Sequence, residues 1–95
     1  MNRLRNTAAP RYSKEEFARR GDEIYDRRVR PHIRDRDEGK FVVIDIEKGD
    51  YETDVDEMAA YDRLVSLHPD AQVWVTQAGS RYAPRFGPRY RPHVA

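Results

Sequence analysis

The pattern of apolar and polar positions centres on one short stretch, GKFVVIDIEKGD, between Gly39 and Asp50. Its apolar residues are mostly β-branched, and such residues are stiff at χ1 and suit a pleated strand. Because side chains alternate along a strand, one face is wholly apolar and consists of Val42, Ile44 and Ile46. The other face ends in a carboxylate and consists of Phe41, Val43 and Asp45. The stretch therefore predicts a central strand.

Turn and strand signals on either side of this strand extend the prediction. Gly49 can adopt positive φ at little cost, so the segment 47–50 can reverse the chain into a short return strand at 51–53. The segment AQVWVTQ at 71–77 predicts another buried strand, with Val73 and Val75 on one face and Gln72, Trp74 and Thr76 on the other. The segment 81–86 predicts a final strand at a sheet edge, because Pro84 cannot donate a ladder hydrogen bond.

A first helix is predicted over residues 14–29. It begins at a capping box, in which the Ser13 hydroxyl accepts from the Glu16 amide and the Glu16 carboxylate reaches back to the Ser13 amide. Pro31 ends or kinks it. Gly21 lies inside the apolar arc and costs roughly 1 kcal/mol relative to Ala, so it predicts a bend or the close approach of another backbone. The arc is formed by Phe17, Ala18, Ile24, Tyr25 and Val29.

A second helix is predicted over residues 55–67. Asp54 is the expected N-cap, and the sequence His68-Pro69 stops the helix. Six apolar side chains form a broad arc on it, and they are Met58, Ala60, Tyr61, Leu64, Val65 and Leu67.

This order of elements predicts an α+β fold. An N-terminal helix precedes a ββαβ(β) unit, whose small antiparallel sheet has the strand order 2-1-3-4 and a right-handed crossover. Both helices are expected to pack on one face of the sheet. The single domain should span residues 13–87, between a flexible N-terminal arm at 1–12 and a flexible tail rich in Arg and Pro at 88–95.

Composition narrows the classes of function. The chain has no cysteine, which excludes disulfides, thiolate metal sites and thiol catalysis. It also contains no apolar run near the ~20 residues that cross a bilayer and no segment resembling a signal peptide. These features predict a soluble, cytoplasmic protein.

Charge is unevenly distributed along the chain, although the net charge is only +1. Residues 1–40 carry twelve Lys or Arg and eight Asp or Glu, residues 41–70 carry two and nine, and residues 71–95 carry four and none. The middle segment is therefore acidic and both flanks are basic. Such segregation can steer a partner or promote self-association. The alternative is an uneven but merely solvated surface.

The run GKFVVIDIEKGDYETDVDEMAAYDRLVSLHPDAQVWVTQAGSRY resembles a family of short bacterial proteins of unknown function. Shared features are a GKFVAID-type strand, a GDYE turn, a helix that begins with DE and an HPDAQ-type helix stop. The preceding segment SKEEFARRGDEIYDRRVRP is also similar, so the resemblance covers about residues 12–87. Members are similar to the accessory halves of two-gene modules, including toxin–antitoxin-like pairs. The resemblance implies an antitoxin-like or accessory subunit and assigns no catalytic residue.

The sequence also contains no recognisable catalytic or cofactor-binding motif. No phosphate-binding loop, dinucleotide fingerprint or nucleophile elbow occurs, the three histidines are scattered, and the acidic cluster lacks the EF-hand spacing. We therefore predict a non-enzymatic protein without a metal or cofactor. It should bind a protein partner stoichiometrically, or associate with itself through its basic tail. The predicted partner-binding residues are Asp45, Glu47, Glu52, Asp56 and Trp74. Trp74 itself is expected in the core of the sheet, and it would mark a partner site only if it were exposed.

The C-terminal segment supports an alternative function, because it interleaves cations with aromatic side chains. This composition suits single-stranded nucleic acid, through phosphate contacts and base stacking. The residues concerned are Arg81, Tyr82, Arg85, Phe86, Arg89, Tyr90 and Arg91. They could equally form an edge strand whose arginines serve solubility.

Overall fold

Four antiparallel strands form one sheet in the computed structural model, which describes residues 9–79 and the backbone of residues 85–89. The strands are β1 (Phe41–Asp45), β2 (Tyr51–Asp54), β3 (Val73–Gln77) and β4 (Arg85–Arg89), in the order β2-β1-β3-β4. Val43 of β1 lies opposite Glu52 of β2 on one side and Val75 of β3 on the other. The predicted α+β class with a small antiparallel sheet is confirmed.

The β1–β2 turn forms as the sequence predicts. Gly49 has φ +83°, and its N–H donates to the carbonyl of Asp45 at 2.8 Å. The Asp45 carboxylate accepts from the N–H groups of Glu47 and Lys48 as well, at 3.0 and 3.4 Å. The buried Asp45 therefore stabilises the turn by accepting hydrogen bonds from three of its backbone N–H groups.

The first helical segment, predicted as one helix over residues 14–29, is not a single regular α-helix. It consists of α1 (Lys14–Ile24), a π-helical turn (Tyr25–Val29) and a 3-10 turn (Arg30–His32), and another 3-10 turn spans Asp35–Asp37. The Ser13 hydroxyl accepts from the Glu16 N–H at 3.1 Å, as expected for the N-cap. The Glu16 carboxylate, however, is bonded to Arg19 and Arg20.

The second helix, α2 (Glu57–Leu67), begins two residues later than predicted. Its N-cap is Asp56, whose carboxylate accepts from the Met58 N–H at 3.0 Å. Asp54 is not the cap, because β2 continues through it and its carboxylate instead accepts from the Asp56 N–H at 2.9 Å. His68 ends the helix as expected.

The two helices cover opposite faces of the sheet, so the prediction that both pack on one face is wrong. The α2 side of the core contains Val43, Ala60, Tyr61, Leu64, Val65, Ala71, Val73 and Val75. The α1 side contains Phe17, Val29, Val42, Ile44, Ile46, Trp74 and Ala78. The physical reason is that β1 and β3 are apolar on both faces, and each apolar face requires a covering layer.

Gly21 of α1 lies directly against the Trp74 side chain of β3. A Cβ built there would lie 2.6 Å from Trp74 Nε1, closer than real atoms pack. The predicted close approach thus exists, but an indole ring rather than a backbone makes it. Trp74 is only 4% exposed, which agrees with the prediction that it lies in the core.

Candidate functional site

The predicted partner-binding residues occupy very different environments. Asp45 is fully buried in the turn, and Trp74 is buried against Gly21. Both side chains therefore lie in the core rather than at the surface, and their role in partner binding stays a prediction. Their local signals were visible in the sequence, because Asp45 precedes a glycine turn and Trp74 alternates with core valines.

Glu47 is exposed but already engaged by residues near the N-terminus. Arg11 Nη2 donates to its carboxylate at 2.6 Å, and the Tyr12 hydroxyl donates at 2.8 Å. The hydrogen bond from Arg11 lowers the pKa of Glu47 below its ordinary value. The Arg11 N–H also donates to Gln72 Oε1 at 2.7 Å. Residues 9–12 of the predicted arm therefore contact the domain, while residues 1–8 lie outside the described residues.

Glu52 belongs to an ion-pair group that joins α2 to the edge strand β2. The Arg63 guanidinium lies 3.0 Å from Glu52 and 3.0 Å from Asp54, and it donates to the Thr53 carbonyl at 2.7 Å. A hydrogen bond from the Asp56 N–H, followed by that from Arg63, lowers the pKa of Asp54. These carboxylates are consequently compensated within the protein.

Asp56 is the remaining predicted residue, and it lies where α2 exposes apolar surface. Val55 is 74% exposed, Leu67 is 64% exposed and Met58 is 37% exposed. These are all of the large hydrophobic side chains exposed within the described part of the chain. Val55 leads into α2, while Met58 and Leu67 lie on it. Asp62, one turn after Met58, adds a second carboxylate to this side of the helix.

We call this set the α2 outer surface, and it consists of Val55, Asp56, Met58, Asp62 and Leu67. Met58 and Leu67 are nine residues apart, which is half a turn in direction, so they lie at opposite edges of this surface. The sequence predicts one broad apolar arc that includes Met58 and Leu67, whereas the structure exposes both side chains. The signal was the width of the apolar arc, since a helix on one sheet face buries a stripe and leaves the flanks outside. The buried stripe of α2 is Ala60, Tyr61, Leu64 and Val65.

The side chains predicted to bind nucleic acid lie outside the part of the chain that the structure describes. Arg85, Phe86 and Arg89 belong to β4, whose backbone pairs with β3. Arg81, Tyr82, Tyr90 and Arg91 lie outside the described residues. That alternative stays a prediction from sequence.

Two further properties concern only the described residues, 9–79 and the backbone of 85–89. They contain no group of three metal-ligating side chains placed to hold an ion. None of their helices combines the length and the apolar character that crossing a membrane requires.

Comparison with known proteins identifies no relative of this chain. The chain matches no family model, no curated protein and no solved structure.

Proposed function

We propose that this protein is a small, non-catalytic interaction module that binds a protein partner stoichiometrically through the α2 outer surface. One observation carries the proposal: all the large hydrophobic side chains exposed in the described residues lie on α2 or directly before it. Exposed apolar side chains that share one helix favour a contact surface there more than the same side chains scattered over the molecule would.

The surrounding charge indicates the chemistry of the partner. Residues 41–70 carry nine carboxylates and two cations. On the α2 outer surface, Asp56 lies at the start of the helix and Asp62 lies between Met58 and Leu67. The cation of α2, Arg63, is occupied by β2. A complementary partner segment is basic, with apolar side chains that cover Val55, Met58 and Leu67. Apolar contacts would supply most of the affinity, and the charges would favour the correct partner and speed its association.

An antitoxin-like or accessory subunit fits this chemistry, since such a protein acts by occupying a surface of its partner. A second copy of this chain is the other occupant with suitable chemistry. Its residues 71–95 contain four arginines and no acidic residue.

Recovery of a partner from cells of the native host tests the proposal. The tagged protein should retain a partner in stoichiometric amount, identified by mass spectrometry. The double variant Val55→Lys/Leu67→Lys places two cations on the α2 outer surface and raises the net charge by two. Because both side chains are exposed, the variant should fold normally and recover at least about tenfold less partner, as expected for lost interface anchors.

Glu15→Lys is the matched control. It raises the net charge by the same amount at an exposed position of α1, on the opposite side of the sheet. It should recover as much partner as the unaltered protein. A mass in solution that rises with concentration, and does so less in the double variant, would identify the partner as a second copy. The proposal fails if the unaltered protein remains a monomer without a partner, or if the double variant binds equally well.

A further inference from the structure

A cleft of about 460 Å³ lies on the other side of the molecule, between the first helical segment and the β1–β2 turn. Cations dominate its charged lining. Five contribute to it, and they are Arg19, Arg20, Arg27, Arg28 and Lys48. A concave surface lined mostly by one sign of charge concentrates ions of the opposite sign. The cleft is therefore suited to an anion.

Four of these five cations are paired with carboxylates of the protein. Arg19 and Arg20 both contact Glu16, and Arg27 and Lys48 lie 3.5 and 3.7 Å from Glu23 and Asp70. Arg28 differs, because it forms no ion pair within the part of the chain that the structure describes. Among the described residues, none therefore competes with a ligand for the hydrogen bonds of the Arg28 guanidinium.

The winding of the helix explains why Arg28 faces the cleft. In a regular α-helix, a residue seven positions after Gly21 lies on almost the same face as Gly21, which here faces the core. The π-helical turn inserts one residue, as the hydrogen bond from the Arg30 N–H to the Tyr25 carbonyl shows. Val29 then takes the buried position, and Arg28 is displaced outward. Single π turns frequently occur at functional sites.

The β1–β2 turn supports the Arg28 side chain from below. A Cβ on Gly49 would lie 3.1 Å from Arg28 Nη1, so the guanidinium packs over the glycine itself. A planar guanidinium held in this way can donate two parallel hydrogen bonds to one phosphate group. Gly49 therefore permits both the turn and the placement of the arginine.

Apolar side chains complete the cleft. Ile24 and Ile46 line it beside the cations. The two carboxylates of the lining, Glu23 and Glu47, are already engaged by Arg27 and Arg11, which limits their repulsion of an anion. We infer that the cleft binds a small organic phosphate, with Arg28 holding the phosphate and the two isoleucines contacting an apolar part of the ligand.

Titration of the full chain with phenyl phosphate, followed by two-dimensional amide NMR, tests this inference. Saturable shifts are expected at residues 24–28 and 46–49, the two walls of the cleft. Inorganic phosphate should bind more weakly, because it cannot contact Ile24 and Ile46. Arg28→Gln should weaken phenyl phosphate binding at least about tenfold, as expected for loss of a charge-assisted hydrogen-bonding pair.

Arg36→Gln is the matched control, since Arg36 is also exposed and also lacks an ion pair among the described residues. It lies in the Asp35–Asp37 turn, outside the cleft lining, and should leave the affinity unchanged. Unaltered amide spectra of both variants without ligand will show that the fold is retained. Equal binding by the Arg28 variant would overturn the inference. Shifts spread over all basic surfaces, or equal affinities for inorganic and phenyl phosphate, would overturn it as well.

Discussion

The two sides of the sheet differ in how their helices use charge. On α1, acidic and basic residues pair along the helix itself, with Arg19 and Arg20 at Glu16 and Arg30 at Asp26 of the following turn. On α2, Arg63 instead reaches across to the edge strand β2. The first helical segment therefore compensates most of its own charge. The second leaves carboxylates and apolar side chains on its outer side.

The buried surfaces differ as well. The α1 side of the core depends on the fit of the Trp74 indole against Gly21. The α2 side depends on branched aliphatic side chains such as Val43, Leu64 and Val65. One face of the sheet is thus packed around a contact between an indole ring and a glycine, and the other is packed mainly with branched aliphatic side chains.

Leu64→Ala should reduce the free energy of unfolding by about 3 kcal/mol, because Leu64 is fully buried and truncation leaves a cavity. Leu67→Ala, on the same helix but 64% exposed, should change it by less than about 0.5 kcal/mol. Urea titrations followed by circular dichroism will measure both. Similar losses for the two variants would show that the buried side of α2 has been assigned incorrectly.

Gly21→Ala should destabilise the protein by about 2 kcal/mol, because the new methyl group overlaps the Trp74 ring and overpacking outweighs the gain in helix propensity. The loss should be smaller in a Trp74→Phe background, where the ring is smaller. A double-mutant cycle from urea titrations measures this coupling. Stabilisation by Gly21→Ala, which helix propensity alone predicts, would contradict the close fit on the α1 side.

Asp56→Ala should reduce stability by about 1 kcal/mol, because its carboxylate caps α2 by accepting from Met58 N–H. Ser13→Ala should have a similar effect on α1, where the hydroxyl accepts from Glu16 N–H. Asp62→Ala, within α2, serves as the control and should change stability by less than about 0.5 kcal/mol. If Asp56→Ala matched that control, Asp56 would not be the N-cap of α2.

Glu16 gives the smallest expected effect, since its ion pairs are exposed. Hydrogen bonds from Arg19 and Arg20 lower the pKa of Glu16 from 4.5 to about 2. A lowered pKa means that the ionised form stabilises the folded state. The contribution is therefore complete above pH 4.5 and is lost as the pH falls towards 2.

Urea midpoints of the unaltered protein and Glu16→Gln, measured from pH 7 to pH 2, test this effect. The advantage of the unaltered protein should shrink across the acidic part of that range. Glu15→Gln is the control, because Glu15 is exposed and forms no ion pair among the described residues. An advantage that grew on acidification would contradict the assigned pairing.

Local sequence patterns predicted much of this fold. Alternation assigned Val42 and Ile44 to one face of β1 and Val43 to the other, and the two core clusters confirm that division. Positive φ at Gly49 was predicted as well, because only glycine adopts it readily in such a turn. Both signals depend on neighbouring residues alone.

The incorrect predictions concern features that depend on contacts between residues far apart in the sequence. Asp54 and Asp56 are equally good caps in sequence, and pairing of β2 with β1 decides between them. The placement of α1 opposite α2 depends on the whole sheet, although apolar residues on both faces of β1 were a sufficient signal for two covering layers. The candidate surface was missed because Met58 and Leu67 fit the helical period, while the sheet buries only a narrower stripe.

Nuclear Overhauser contacts from neighbouring strand residues test the central claim, that the helices cover opposite faces. The Trp74 indole protons should show contacts to Gly21 of α1 and none to α2, and the Val43 methyl groups should show contacts to α2 and none to α1. Contacts from Trp74 and Val43 to the same helix would contradict the two-sided arrangement.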